Sequence, residues 1–207
     1  MSSYRYSPLP DDNIRLLCLL PSASEAEPLQ CKLLDYNIQD PSGRTHLYDA
    51  LSYVWGDQND TRPIYIVEDK LQGKEELQGK GELKVTTNLY AALSHLRNFF
   101  FQRIIWVDAI CIDQKNIGER EQQILLMAKI YSQAICVLVW LGEKTKDIDG
   151  ALENIRLAAN GELVASSKKE INRQAVLALL ERPWFQRIWV REQTLSYSYK
   201  ITLTQLL

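Results

Sequence analysis

The sequence predicts an α/β domain built on a mostly parallel sheet flanked by helices, with extra strands at its N-terminus. Three observations carry that prediction. Ile104–Ile112 and Ile135–Leu141 are apolar runs of strand length, as strands buried on both faces require. Between them a helix opens at Asn116 with Glu119 three residues on, the spacing of a capping box. Strand, helix and strand in that order form a βαβ unit, whose strands run parallel.

The other elements follow in chain order. Ile14–Leu20 and Leu29–Tyr36 are strand-like and separated by a Ser/Glu/Pro loop, which suits a hairpin. Asp40–Arg44, DPSGR, is rich in turn residues. Tyr48–Trp55 reads as a strand closed by Gly56 and Asp57, and Ile64–Val67 as a shorter one. Asp69–Glu82 is charged and dotted with glycine, with LQGK at both Leu71–Lys74 and Leu77–Lys80. Its lack of apolar surface predicts a mobile surface insertion within one domain. Val85–Thr87 resumes a strand. Asn88 then resembles an N-cap for a helix reaching Phe99, with Leu89, Ala92, Leu93 and Leu96 at helical spacing. In the helix after Asn116, Ile124, Met127, Ala128 and Tyr131 share one face. Ile148–Ala159, Glu170–Leu180 and Trp184–Leu195 read as helices, the last two parted by Pro183. Only LQGK repeats, so the chain is not a solenoid.

Composition narrows the function classes. With 207 residues, 46% hydrophobic and 24% charged, the chain suits one soluble domain, residues 1–207. A net charge of -2 and no basic face argue against nucleic acid as a partner. No apolar run approaches the roughly 20 residues that span a bilayer. The N-terminal MSSYRYSPLPDDN lacks the basic and apolar regions of a signal peptide. Cys18, Cys31, Cys111 and Cys136 lack metal-site spacing and sit in or beside apolar runs. They read as reduced and buried, which suits the cytoplasm. His46 and His95 lie near no cysteine pair, so no metal site is expected.

Three segments carry candidate chemistry. In YDALSYVWGD, Gly56 would let backbone approach a ligand, with Ser52, Tyr53, Trp55 and Asp57 beside it. A core strand ending in a turn would look the same. The CIDQ cluster at Cys111–Gln114 falls where the central strand should end, which is where α/β sheets place ligands. Asp108 and Asp113 are a candidate acidic pair there. A carboxylate inside an apolar run needs donors, so Asp108 is expected to be buried against backbone N–H groups or Arg120. Arg120 could equally reach the Asp113 turn, or simply face solvent. The third segment, Arg182–Leu195, sets Trp184, Phe185, Ile188 and Trp189 beside Arg187, Arg191 and Glu192. Glu192 among tryptophans could carry a raised pKa, or pair with an arginine one turn away. There is no Gly-rich phosphate loop and no nucleophile elbow.

Taken together and in this order, these blocks resemble the fungal heterokaryon incompatibility (HET) domain over about residues 14–195. The connecting NLYAALSHLR is similar to that family's helix before the central strand. The resemblance implies a regulated cell-death effector in non-self recognition. HET domains in turn look like distant relatives of TIR domains, which are flavodoxin-like and in some cases cleave NAD⁺ at its bond to nicotinamide. That would make NAD⁺ or a related nucleotide a substrate, with no bound cofactor and no metal. The alternative it implies is a non-enzymatic scaffold that signals by self-assembly; the triggering partner is not legible. On this resemblance Ser52, Tyr53, Trp55, Gly56, Asp57, Asp108, Cys111, Asp113, Gln114, Arg120 and Trp189 would bind substrate. Here the chain departs from the pattern. The family's Glu follows its Trp by four residues; this chain has Glu192 three residues after Trp189, and Gln193 at the usual Glu position. Either Glu192 substitutes, or the carboxylate is missing and the chain is inactive.

Overall fold

The N-terminal hairpin folds as its sequence predicts. β1 (Asn13–Leu19) and β2 (Gln30–Asn37) pair antiparallel, with Asn13 opposite Asn37 and Leu19 opposite Cys31. The computed structural model describes residues 3–39, 47–68, 78–143, 173–186 and 201–203. Within them follow β3 (Asp49–Tyr53), β4 (Thr61–Glu68), β5 (Gln78–Thr86), α1 (Thr87–Leu96), β6 (Arg103–Trp106) and the single turn α2 (Asp108–Cys111). After these come α3 (Ile117–Gln133), β7 (Val137–Trp140), α4 (Arg173–Leu180), a 3₁₀ turn at Pro183–Gln186 and β8 (Ile201–Leu203).

Among the described residues one eight-stranded sheet takes the order β5-β4-β2-β1-β6-β3-β7-β8. The class is α/β, but the sheet is mixed rather than mostly parallel. β6, β3, β7 and β8 are mutually parallel. β1 runs against both β6 and β2, and β5 against β4. A short connection can join strands only as an antiparallel pair. The β1–β2 hairpin therefore brings one reversed strand, β1, against β6. The expected βαβ unit needs a second correction. β6 and β7 run parallel, but β3 lies between them, with Ala50 opposite both Trp106 and Val137.

The two helices cover opposite faces of β3. Tyr53 is paired with Trp140, whose ring lies 5.0 Å from that of His95 on α1. Ala50 is paired with Trp106, whose ring meets Tyr131 of α3 edge-on at 5.6 Å. Period-2 alternation thus turns Leu51 and Tyr53 toward α1, and Ala50 and Ser52 toward α3. Leu89, Ala92, Leu93 and Leu96 of α1 are buried as predicted.

Several boundaries move. α1 is capped by Thr86, whose hydroxyl accepts from the Leu89 amide, because Asn88 is used elsewhere. β6 stops at Trp106, and the Cys111 amide closes a helical turn on the Val107 carbonyl. The central apolar run is thus a strand plus a turn, and Asp108 opens the turn. Residues 78–82 of the predicted insertion belong to β5, which pairs with β4 from Thr61–Thr86 to Glu68–Gln78. Residues 69–77 lie outside the described part. On α3 the inward residues are Glu119, Gln123, Ile130 and Tyr131, while Ile124 is 46% exposed. Of the predicted face, Tyr131 is buried and Met127 packs partly buried against the core, while Ile124 and Ala128 are exposed. All four cysteines are free; Cys18, Cys31 and Cys111 are buried and Cys136 partly so. α4 matches the end of the second C-terminal helix. The third is described only as its 3₁₀ start, and the first lies outside the described residues. No helix among the described residues is long and apolar enough to cross a membrane.

Candidate functional site

β3 lies between β6 and β7; the chain reaches β6 by way of β4, β5 and α1, and then crosses through α3 to β7 on β3's other side. In open α/β sheets such a reversal opens a crevice at the carboxyl ends of the strands. A cleft of about 670 Å³ lies there. One wall is Leu51–Trp55 with Gln58; another is Asp108, Ile112 and Gln114. The third is the α3 stripe of Arg120, Ile124, Met127 and Tyr131, at helical spacing. Along that stripe Arg120 and Ile124 are exposed, Met127 is partly buried and Tyr131 is buried at the base of the cleft.

The polar groups around the cleft are held in place. The Trp55 indole donates to Asp108 Oδ2 at 2.9 Å, and the Ala109 amide donates to Asp108 Oδ1 at 2.8 Å. The first bond ties the end of β3 to the turn after β6, and the second fixes the Asp108 carboxylate on that turn. Gln114 Nε2 donates to the Asp108 carbonyl at 2.8 Å, folding the CIDQ loop back over the same residue. On β3, Ser52 Oγ accepts the Trp184 indole N–H at 3.0 Å, which pins the Pro183–Gln186 turn to the sheet. On the other face, Asn88 Nδ2 donates to the Val54 carbonyl at 2.5 Å, and Asn88 Oδ1 accepts from the Trp140 indole at 2.9 Å. One carboxamide thus joins the ends of β3 and β7. Gly56 follows at φ +79, and a Cβ there would come within 3.3 Å of the Asn88 Cβ.

The CIDQ loop rests on a buried ion pair that the sequence reading missed. Arg15 of β1 is 2% exposed and Glu119 of α3 9%. They form a two-pronged pair, with Arg15 Nη2 to Glu119 Oε2 at 3.1 Å. Arg15 also donates to the Cys111 carbonyl at 3.2 Å and the Ser7 carbonyl at 2.7 Å. Glu119 Oε1 accepts the Asp113 amide at 2.8 Å. Burial alone would raise the Glu119 pKa. The hydrogen bonds from Arg15 and the Asp113 amide, with the guanidinium charge, hold it below the usual value. Asn116 does cap α3 by accepting the Glu119 amide, but the Glu119 carboxylate turns inward instead of completing a capping box. The signal was present: Arg15 interrupts the apolar run IRLLCLL, and a buried guanidinium requires a carboxylate.

The predicted site residues divide accordingly. Ser52, Tyr53, Trp55, Asp108, Gln114 and Arg120 line the cleft. Asp108 is half-buried rather than buried, and its described carboxylate donors are the Trp55 indole and Ala109 amide rather than Arg120. Arg120 is exposed at the cleft rim. Asp57 is a turn residue whose carboxylate accepts from Asn59, and Gly56 shapes the exit from β3. Cys111 points into the core. Burial pushes its thiol up to about 12, where no thiolate forms near neutrality, so it can neither attack nor line the cleft. Asp113 faces a different cavity, and its carboxylate accepts the Lys115 amide. Acidic partnership between Asp108 and Asp113 is therefore not what the loop builds. Trp189, Glu192 and Gln193 lie outside the described residues. Among the described residues no cluster could hold a metal ion.

Comparison with known proteins adds two findings. Residues 48–192 match the family model described as heterokaryon incompatibility protein (HET). The chain is also 34% identical over 149 residues to heterokaryon incompatibility protein 6, OR allele, of Neurospora crassa. That alignment covers 70% of this chain and 21% of the relative, so the chain spans only about a fifth of that protein's length. No solved structure matches the chain.

Proposed function

Because this chain belongs to the heterokaryon incompatibility (HET) family, we propose that it is an effector domain of incompatibility that cleaves NAD⁺ or a related nucleotide in a TIR-like manner in the cytoplasm. The observation that carries this reading is the cleft at the carboxyl ends of β3 and β6, with Asp108 held by Trp55 and Ser52 held by Trp184. The TIR-like part draws support from strand order. Numbered by their own sequence, β6-β3-β7-β8 run second, first, third, fourth, the start of the flavodoxin-like order.

In the proposed reaction the bond between nicotinamide nitrogen and ribose breaks. Its electron pair leaves with nicotinamide, positive charge develops on the ribose, and water completes the product as a free sugar hydroxyl with release of a proton. A carboxylate near the ribose stabilises that charge. Glu192, or a Glu at position 193, would supply it. Glu192 lies only six positions after Gln186, at the end of the turn anchored to Ser52. Asp108, fixed by two donors, would orient ribose hydroxyls, and Arg120 at the rim would meet a phosphate.

The test is nicotinamide release from NAD⁺ by the purified chain, by Gln193→Glu and by Glu192→Gln. A neutral amide at 193 lacks one preorganised charge, a loss worth about 10²–10³ in rate. Weak or no release by the chain and faster release by Gln193→Glu is the expected result. An active chain that loses activity only in Glu192→Gln would assign the role to Glu192. Silence from all three, even at concentrations where the protein assembles, would leave the self-assembling scaffold. One feature favours that second reading. Asn98 Oδ1 accepts the Phe100 and Phe101 amides, forming a turn that exposes Phe99, Phe100 and Phe101 by 54%, 81% and 74%. Outward aromatic groups of this kind suit association.

A further inference from the structure

We infer that the outward face of α3 is an interface between two copies of this chain, paired antiparallel about a two-fold axis at Leu125. The inference does not rest on the nucleotide reading. It also differs from open-ended self-assembly, because a two-fold contact uses the same patch on both copies and closes at two.

Helical spacing builds the face. α3 runs from Ile117 to Gln133, so Leu125 is its middle residue. Leu125 is 83% exposed, and Ile117 and Ile124 on the same helix are exposed as well. At about 100° per residue, Gly118, Glu121, Lys129 and Ser132 fall within roughly 40° of the direction of Leu125, and Ala128 within roughly 60°. Gly118, Glu121, Ala128 and Ser132 are exposed, and Lys129 is half-buried. A prominent leucine thus stands among small residues that let a second helix come close, with an acid toward one end and a base toward the other. Arg120, Met127 and Tyr131 line the cleft and point more than roughly 100° away from Leu125. A partner on the outward face therefore leaves the cleft open.

Charge selects the occupant and its direction. Glu121 precedes Leu125 by four positions and Lys129 follows it by four. An antiparallel pair centred on Leu125 brings Glu121 of each copy level with the partner's Lys129, so the same ion pair forms twice. A parallel pair would set Glu121 against Glu121 and Lys129 against Lys129, and like charges oppose it. Antiparallel packing also lays the positive end of each helix dipole beside the partner's negative end. At the axis Leu125 meets the partner's Leu125, and Gly118 lies level with the partner's Ser132. One helix from each copy buries less than the roughly 1,600 Å² of a standard interface, which places the dissociation constant on the order of tens of micromolar rather than nanomolar.

Sedimentation equilibrium of the full chain across that concentration range tests the inference. The variants are Glu121→Lys, Lys129→Glu, the two combined, Leu125→Glu and Phe100→Ser, with melting curves to check the fold. The unaltered chain should pass from monomer to dimer and no further. Each single charge change acts at both ends of the pair and should weaken it about tenfold, while the combined exchange should recover the original affinity. Leu125→Glu should abolish the dimer, and Phe100→Ser should leave it unchanged. A chain that stays monomeric throughout, or assembles beyond two, would overturn the inference. So would a combined exchange no tighter than the single ones, since the register would then be wrong. Loss of association in Phe100→Ser but not in Leu125→Glu would move the contact to the Phe99–Phe101 turn and overturn it as well. None of these results depends on nicotinamide release, so the nucleotide reading stands or falls separately.

Discussion

Replacing Glu119 with Gln should be among the most damaging isosteric changes available to this fold. The side chain keeps its shape and loses its charge, leaving Arg15, 2% exposed, without a counter-ion. A guanidinium cannot discard its proton. Its remaining acceptors are the neutral Cys111 and Ser7 carbonyls, and the new amide turns an N–H toward one prong of the fork. Breaking a buried pair in this way costs about 3–5 kcal/mol, against a total of roughly 5–15 kcal/mol for a domain. For a chain of this size the melting midpoint should fall by about 10 °C. The assay is thermal and urea denaturation of the unaltered chain, Glu119→Gln, and Glu119→Gln with Arg15→Met. The double variant should recover most of the loss, because it removes the stranded charge. The pH dependence follows from the lowered pKa of Glu119. Its contribution is full above the usual carboxylate range and is lost as pH falls through the folded-state value, so the gap between the chain and Glu119→Gln should close in acid. A loss below about 1 kcal/mol, or a double variant no better than the single, would refute the claim that this pair anchors the CIDQ loop.

Three further outcomes are expected. Asp108→Ala removes the acceptor of the Trp55 indole and the Ala109 amide and should cost about 1–3 kcal/mol, read as a lower melting midpoint; an unchanged midpoint would mean the β3–β6 tie carries no load. Gly56→Ala forces a side chain into a left-handed conformation beside Asn88 and should cost about 1–2 kcal/mol by the same measurement. Replacing residues 69–77 with a short Gly/Ser loop should shift stability by no more than about 1 kcal/mol, since Glu68 and Gln78 are already paired and closure entropy changes slowly with length. Loss of soluble protein would show that the segment has a structural role.

Much of the fold was legible because local pattern and burial agree. The alternating and continuous apolar runs located β1, β2, β3, β4, β6 and β7, and the spacing of Leu89, Ala92, Leu93 and Leu96 marked the buried face of α1. The Trp55–Gly56 stop and the CIDQ cluster marked two of the cleft's three walls. Periodicity was less informative on α3. An apolar stripe reads the same whether it meets a core or an open cleft, so the shared face of Ile124, Met127 and Tyr131 did not reveal that Ile124 is exposed while Tyr131 is buried. The three-residue β8 carries too little pattern to be seen alone.

The sequence by itself located most of the strands and helices, showed which polar groups gather near strand ends, and marked the family to which they belong. Only the tertiary structure decided that β3 runs between β6 and β7, that Asn88 leaves its cap to join two strand ends, and that Arg15 pairs with Glu119 across 104 positions. The reason is physical. Secondary structure answers to the periodicity of neighbours in the chain, while sheet order and buried polar pairing are settled by which distant groups can satisfy one another once water is gone.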